Sequence, residues 1–215
     1  MTVHFLAPED ENKWHPIWKK CFNIWTQTKY NLNIWTDKGV DKLLQEDDNE
    51  FYEEYLSKLD KIYKLDYVRY IILGKYGGAY FDMDVEYKID FLPLLDKKTN
   101  YILEGSIGEL VSNAIMITYE GCDMWSFLKD KAKFNIIKNF TLAKEKPYNT
   151  VKLVGPLFLS KWVSYLWNYQ TAQNVTKPYI ELLGWHQFNN PNSTLSFTTH
   201  ATTHTWGGME ENDLN

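Results

Sequence analysis

Two aspartates, Asp82 and Asp84, stand one residue apart directly after the apolar run Ala79-Tyr80-Phe81. Side chains of an extended chain repeat every two residues, so both carboxylates point to one side if the chain stays extended. Like charges placed together repel unless a cation sits between or beside them. Carboxylate oxygens suit a hard divalent ion, Mn²⁺ or Mg²⁺, and a diphosphate can complete its shell. Upstream, Asp66 and Arg69 are three residues apart, which places them on one face of a helix. Arg69 is the only arginine among 23 basic residues. A lone guanidinium in so lysine-rich a chain points to a need for planar, bidentate donors. The plainer explanation is an ion pair with Asp66. Gly77-Gly78 lets the backbone turn sharply and approach a ligand, a role that a simple helix cap would share. A calcium loop beginning at Asp82 fails, because its sixth position is Tyr87 where glycine is required.

The surrounding elements must hold these groups. Residues 2–7 read as a short buried strand. A helix follows with Trp14, Trp18, Phe22 and Trp25 spaced by three and four. Residues 31–35 alternate like a strand, and Thr36-Asp37 caps the next helix. Glu46 to Glu50 read as an acidic loop, and residues 65–75 as helix. The glycine pair breaks that helix, and the strand 79–81 ends at the two aspartates. This β-α-β-α-β order predicts a single α/β domain with a mainly parallel sheet flanked by helices. Further strands are expected near 101–104 and 113–118, with helices near 122–134 and 156–169. From Trp185 on, the Thr, Asn, His and Gly content reads as loop. The domain is expected to occupy residues 1–208, with 209–215 an exposed tail or the start of an interdomain linker to further domains.

Composition narrows the class. At 215 residues, 44% apolar and 24% charged, the chain can bury a sizeable core. A net charge of −5 argues against nucleic-acid binding. Aromatics at 16% serve either a sugar-binding cleft or a Trp-rich core. Cys21 and Cys122 lack CxxC partners, which fits a reducing compartment and no structural zinc. No run approaches the roughly 20 apolar residues that span a bilayer, and the N-terminus lacks the basic region of a signal peptide. These features predict a cytoplasmic protein without membrane insertion.

The segment Asp66-Tyr-Val-Arg69-Tyr-Ile-Ile-Leu73-Gly-Lys-Tyr-Gly77-Gly78-Ala-Tyr80-Phe-Asp82-Met-Asp84 resembles the DXD signature of a glycosyltransferase superfamily. That superfamily includes yeast-type α-1,6-mannosyltransferases, capsular sugar transferases and clostridial toxin glucosyltransferases. Weaker echoes are residues 30–37, Ser112-Asn113-Ala-Ile-Met-Ile, Gly155-Pro156 and His204-Thr205-Trp206. Ala7 departs from the pattern: the toxins place a base-stacking tryptophan there, which leaves Trp35 or another aromatic for that task.

The resemblance implies a GT-A fold and a set of roles. Asp84 binds the metal directly, while Asp82 contacts ribose or sugar and the metal's shell. Asp66 and Arg69 hold donor hydroxyls, Tyr80 lines the donor pocket, and Asn113 lies near the reacting carbon. His204 completes the metal site under Trp206, with His200 the weaker choice. The expected reaction retains anomeric configuration and moves a sugar from a UDP-sugar, or secondly GDP-mannose, to a glycan or glycoprotein. A chlorella-virus type of enzyme, acting in host cytoplasm, is the particular kind expected. Two other classes compete: a nucleotide-sugar-binding module without catalysis, and a metal-dependent phosphohydrolase. A hydrolase would need a second carboxylate cluster, which the sequence lacks.

Overall fold

A computed structural model describes residues 1–105, 111–119, 122–146, 149–172, 180–184, 188 and 196–200. The helices are α1 (Pro16–Trp25), α2 (Asp37–Glu54), α3 (Lys61–Tyr76), α4 (Asp123–Lys138), α5 (Phe140–Glu145), α6 (Thr150–Leu153) and α7 (Pro156–Ala172). The strands are β1 (Thr2–Leu6), β2 (Asn31–Trp35), β3 (Gly78–Phe81), β4 (Val85–Tyr87), β5 (Asn100–Glu104), β6 (Val111–Thr118), β7 (Ile180–Leu183) and β8 (Thr198–His200). Six strands form one sheet in the order β2-β1-β3-β6-β5-β7, and β4 pairs with β8 in a small second sheet.

β1 runs parallel to β2 and β3, and β5 parallel to β7, whereas β6 is antiparallel to both its neighbours. The β-α-β-α-β reading of the first 81 residues holds, and the sheet as a whole is mixed. β1 is buried on both faces: Val3 and Phe5 face one core with Trp14, Trp18 and Trp25, while Leu6 faces another built on α2, α3, α4 and α7. A strand buried on both faces belongs at the centre of a layered α/β sheet. Most aromatics go to these cores. Trp25 stacks on Tyr87 with centroids 4.1 Å apart and also packs on Phe81.

α3 is the axis of the molecule. Every residue from Leu65 to Leu73 is buried, Asp66 and Arg69 among them. Asp60 caps it by accepting from the Ile62 N–H at 3.1 Å. It ends at Gly77 (φ 59°) and Gly78 (φ 86°). A Cβ on Gly78 would lie 2.3 Å from the Thr2 carbonyl oxygen, so the glycine pair lets β3 pair closely with β1.

Several sequence expectations are corrected. The segment expected as an acidic loop at 46–50 lies within α2, broken only at Asp48, whose extended backbone kinks the helix. Its acids are satisfied from α4, Asp47 by Lys129 and Asp48 by Lys133, so the charge run needs no solvent loop. Trp14 lies outside α1, beyond its cap at His15. The region read as loop after 185 contains β8. Asp82 to Asp84 is a turn in which the Val85 N–H bonds the Asp82 carbonyl at 3.1 Å, so strand alternation does not set the direction of the two carboxylates.

Candidate functional site

α3, the C-terminal end of β3 and the N-terminal part of the antiparallel β6 bring Asp66, Arg69, Tyr80, Asp82 and Asn113 together. The geometry follows from their places in the chain. Asp66 and Arg69 lie one turn apart on the buried flank of α3. Tyr80 lies in the buried part of β3, and Asp82 begins the turn after it. Asp82 is anchored by its N–H to the Ala114 carbonyl at 2.9 Å, next to Asn113.

The Arg69 guanidinium spans the cluster. One terminal nitrogen lies 3.2 Å from Asp66 Oδ1 and the other 3.2 Å from Asp82 Oδ1. The first also donates to the Asn113 carbonyl at 3.4 Å. The guanidinium lies 4.8 Å from the centre of the Tyr80 ring. Tyr80 donates its hydroxyl to Asp82 Oδ1 at 2.6 Å, and Asn113 donates its side-chain amide to Asp66 Oδ1 at 3.0 Å.

Burial sets the electrostatics. It pushes the Asp66 carboxyl up to about 6, assisted by the Asp82 charge and opposed by Arg69 and Asn113. Burial alone would weaken the guanidinium's hold on its proton. The carboxylates outweigh it and keep Arg69 above its ordinary value. Burial likewise raises the Tyr80 phenol well above its usual range, so it remains a hydrogen-bond donor.

This arrangement bears on both readings of Arg69. Arg69 is only 3% exposed and engages both carboxylates directly. The ion pair with Asp66 and the need for a planar fork are both present in one side chain. Arg69 thus fixes two aspartates at once.

Asp84 sits two residues further on and is 6% exposed. Its charge reaches Cys21, whose thiol is pushed up to about 11 by burial and by the acids Glu86 and Asp84. The two cysteines are free and buried. Two carboxylates in one short turn offer hard oxygen donors that fit a divalent ion. Among the described residues no group of three His, Cys, Asp or Glu side chains forms a ready metal cage. A bound ion would therefore draw further oxygens from a ligand.

His204 and Trp206 lie outside the described residues, as does the 209–215 tail. β8 nonetheless brings the chain to the site: His200 is in register with Val85, next to Asp84. Trp35 lies within the described residues and is committed elsewhere. Its indole N–H donates to His4 Nδ1 at 3.3 Å and its ring packs 5.3 Å from Tyr76. It packs against the core on α3, whereas Ala7 belongs to the core on the opposite sheet face. Trp35 therefore lies across the sheet from Ala7.

Sequence reasoning missed two supports. Gly155 abuts the cluster, where a Cβ would stand 2.8 Å from Asp66 Oδ2. Ser160 Oγ accepts from the N–H of Val111, fixing the start of β6. The Gly155-Pro156 pair was a signal for the first, and nothing in the local sequence marks the second.

The chain is similar to several known proteins. Residues 11–101 match the family described as "Glycosyltransferase sugar-binding region containing DXD motif". The chain is 31% identical over 179 residues to inositol phosphoceramide mannosyltransferase 1 of Schizosaccharomyces pombe, covering 82% of this chain and 51% of that protein. It is 29% identical over 194 residues to the mannosyl phosphorylinositol ceramide synthase CSH1 of Saccharomyces cerevisiae, covering 87% and 47%. The chain thus spans about half the length of the curated relatives it matches. Among solved structures it resembles PaToxG glycosyltransferase, with a TM-score of 0.53, 15% identity, and coverage of 80% of this chain and 74% of that one. The chain carries the DXD-containing sugar-binding region of the glycosyltransferases, set in a GT-A fold.

Proposed function

We propose that this domain transfers a hexose from a nucleoside diphosphate sugar, with a divalent ion held by Asp84 and Asp82. The observation that carries the reading is the buried Asp66–Arg69–Asp82–Asn113 network on the matched DXD segment. The difficulty in such a reaction is departure of the diphosphate as the glycosidic bond breaks. When bound, a divalent ion supplies charge stabilisation for that leaving group.

The chain's own residues do the rest. Arg69 fixes the direction of Asp82 and Asp66. Tyr80 donates to Asp82, and Asn113 stands beside Asp66 where donor hydroxyls would be held. Relatives named as mannosyltransferases move the first choice of donor from a UDP-sugar to GDP-mannose. Their names also add a glycolipid to the glycan or glycoprotein acceptors. His204 is proposed to close the ion's shell, since β8 delivers the chain beside Asp84. Retention of configuration is part of the proposal.

The test is incubation with Mn²⁺ or Mg²⁺ and a panel of nucleotide sugars without acceptor. Slow release of free mannose and GDP is expected, with the anomer read by NMR at early times. Binding without turnover would favour a nucleotide-sugar-binding module. Release of inorganic phosphate or nucleoside monophosphate would indicate a phosphohydrolase.

A further inference from the structure

Most of the large apolar side chains left exposed among the described residues lie on α4, α5 and α7. Phe134 is 61% exposed, Tyr165 57% and Tyr169 59%, with Ile137, Leu142 and Trp167 also open. They do not stand alone. Trp162 packs edge-on against Phe127 of α4 at 5.3 Å and against Tyr165 at 5.7 Å, joining the two helices into one aromatic face. Lysines stand among the rings. Lys131 lies 5.2 Å from the centroids of both Phe127 and Trp162, and Lys161 lies 5.5 Å from that of Trp162.

The charge of this region runs against that of the chain. Residues 123–172 hold eight lysines and three acids, net +5, in a protein whose total is −5. Lys129 and Lys133 are engaged with Asp47 and Asp48 on the far flank of α4.

We infer that the α4–α7 face, centred on Phe134, Trp162, Tyr165, Lys131 and Lys161, seats the domain on the surface of an anionic lipid bilayer. Tyr and Trp combine an apolar ring with a polar edge and collect where acyl chains meet headgroups. Lysines keep their ammonium groups in water or against phosphate while their stems lie along the rings. A protein-facing patch would be depleted of lysine, whereas an anionic surface is attracted to it.

The depth is limited to the interface, because no helix among the described residues is long and apolar enough to cross a membrane. The face is also near the chemistry. α7 starts at Pro156, beside the Gly155 that abuts Asp66. Trp162 to Tyr169 then lie about 9–20 Å along its axis. A lipid acceptor held in that surface would meet the donor pocket without leaving the bilayer. The inference deepens the lipid-acceptor reading and rests on it only in that last respect.

The test sediments the protein, without donor or metal, with vesicles of phosphatidylcholine alone or with about one third phosphatidylinositol. Binding to the anionic vesicles only, weakening as salt rises, is expected. Lys131→Gln with Lys161→Gln should lower that binding by about tenfold or more, since each surface lysine carries about a factor of five. The triple variant Phe134→Ser, Tyr165→Ser, Tyr169→Ser should lose it as well. Both variants should keep the wild-type unfolding midpoint and the wild-type rate of donor hydrolysis in solution. That hydrolysis rate stands or falls separately from membrane seating. Equal affinity for neutral and anionic vesicles, no sedimentation at low salt, or wild-type binding by the variants would overturn the inference. A dimer that the triple variant converts to monomer, with vesicle binding unchanged, would also overturn it and make this a self-association face.

Discussion

Arg69 holds two aspartates at once, and its planar fork is what permits it. Lysine keeps the charge yet offers one point of attachment, so Arg69→Lys leaves one buried carboxylate without its partner. Breaking a buried pair in this way costs about 3–5 kcal/mol. The expected result is a large fall in denaturant midpoint together with donor hydrolysis below a tenth of wild type. A variant with normal stability and poor donor affinity would instead make Arg69 a direct donor contact. Asp84→Ala should spare the fold while removing metal-dependent turnover by about a thousandfold, equivalent to about 4 kcal/mol of transition-state stabilisation. More than a tenth of wild-type activity at saturating Mn²⁺ would remove Asp84 from the role proposed for it.

His4 supplies a pH prediction at the same scale. Its Nδ1 accepts from Trp35, so Nε2 carries the proton and donates to the Gly77 carbonyl at 3.0 Å. Burial lowers its pKa below 6.5, outweighing the Gly77 bond. A depressed folded-state pKa gives stability that is present above the unfolded value and lost as pH falls through the folded one. Unfolding midpoints should therefore drop as pH falls below about 6.5, and the slope should be shallower in His4→Gln. Parallel pH profiles for the two proteins would show that His4 does not titrate on unfolding.

Among the elements, α3 and the turn after it were the most legible in sequence, because Asp66, Arg69, Gly77, Gly78 and Asp82 each carry a local constraint. The α6–α7 junction was legible only in part: the Gly155-Pro156 pair marks a helix start, but the contact of Gly155 with Asp66 joins residues about ninety positions apart in the chain. Its Cβ would also meet the backbone of Val151 at 3.0 Å and Thr150 at 3.2 Å, atoms that cannot swing aside. Gly155→Ala should cost about 1–3 kcal/mol and displace Asp66, weakening donor affinity as well. Wild-type values for both stability and affinity would mean that the junction does not set Asp66. The direction of β6 was hidden for a related reason. Its run Val111–Thr118 is apolar enough for either orientation, and only pairing with β3 and β5 decides it. The kink at Asp48 was hidden too, because its relief comes from α4.

At the scale of the whole molecule, two apolar cores among the described residues enclose the sheet, and the aspartates proposed to hold the ion belong to neither. Chelation should accordingly abolish donor turnover while leaving the ligand-free unfolding midpoint close to its starting value. A collapse of the midpoint with chelator would mean that the metal is structural, and that the turn holding Asp82 and Asp84 depends on it.

The two-stranded sheet has a consequence in time. β4 follows the DXD turn at once, but its partner β8 is made only at residues 198–200. During synthesis the central strands β1, β2 and β3 can pair well before that partner emerges. Closing so long a loop is among the slow steps of folding. A nascent chain would thus hold a nearly complete scaffold with an open donor site, and the site would mature only as the last segment docks. Arrested chains ending before 198 should resist proteolysis across the first three strands yet fail to retain a nucleotide sugar, whereas chains extended through the tail should do both.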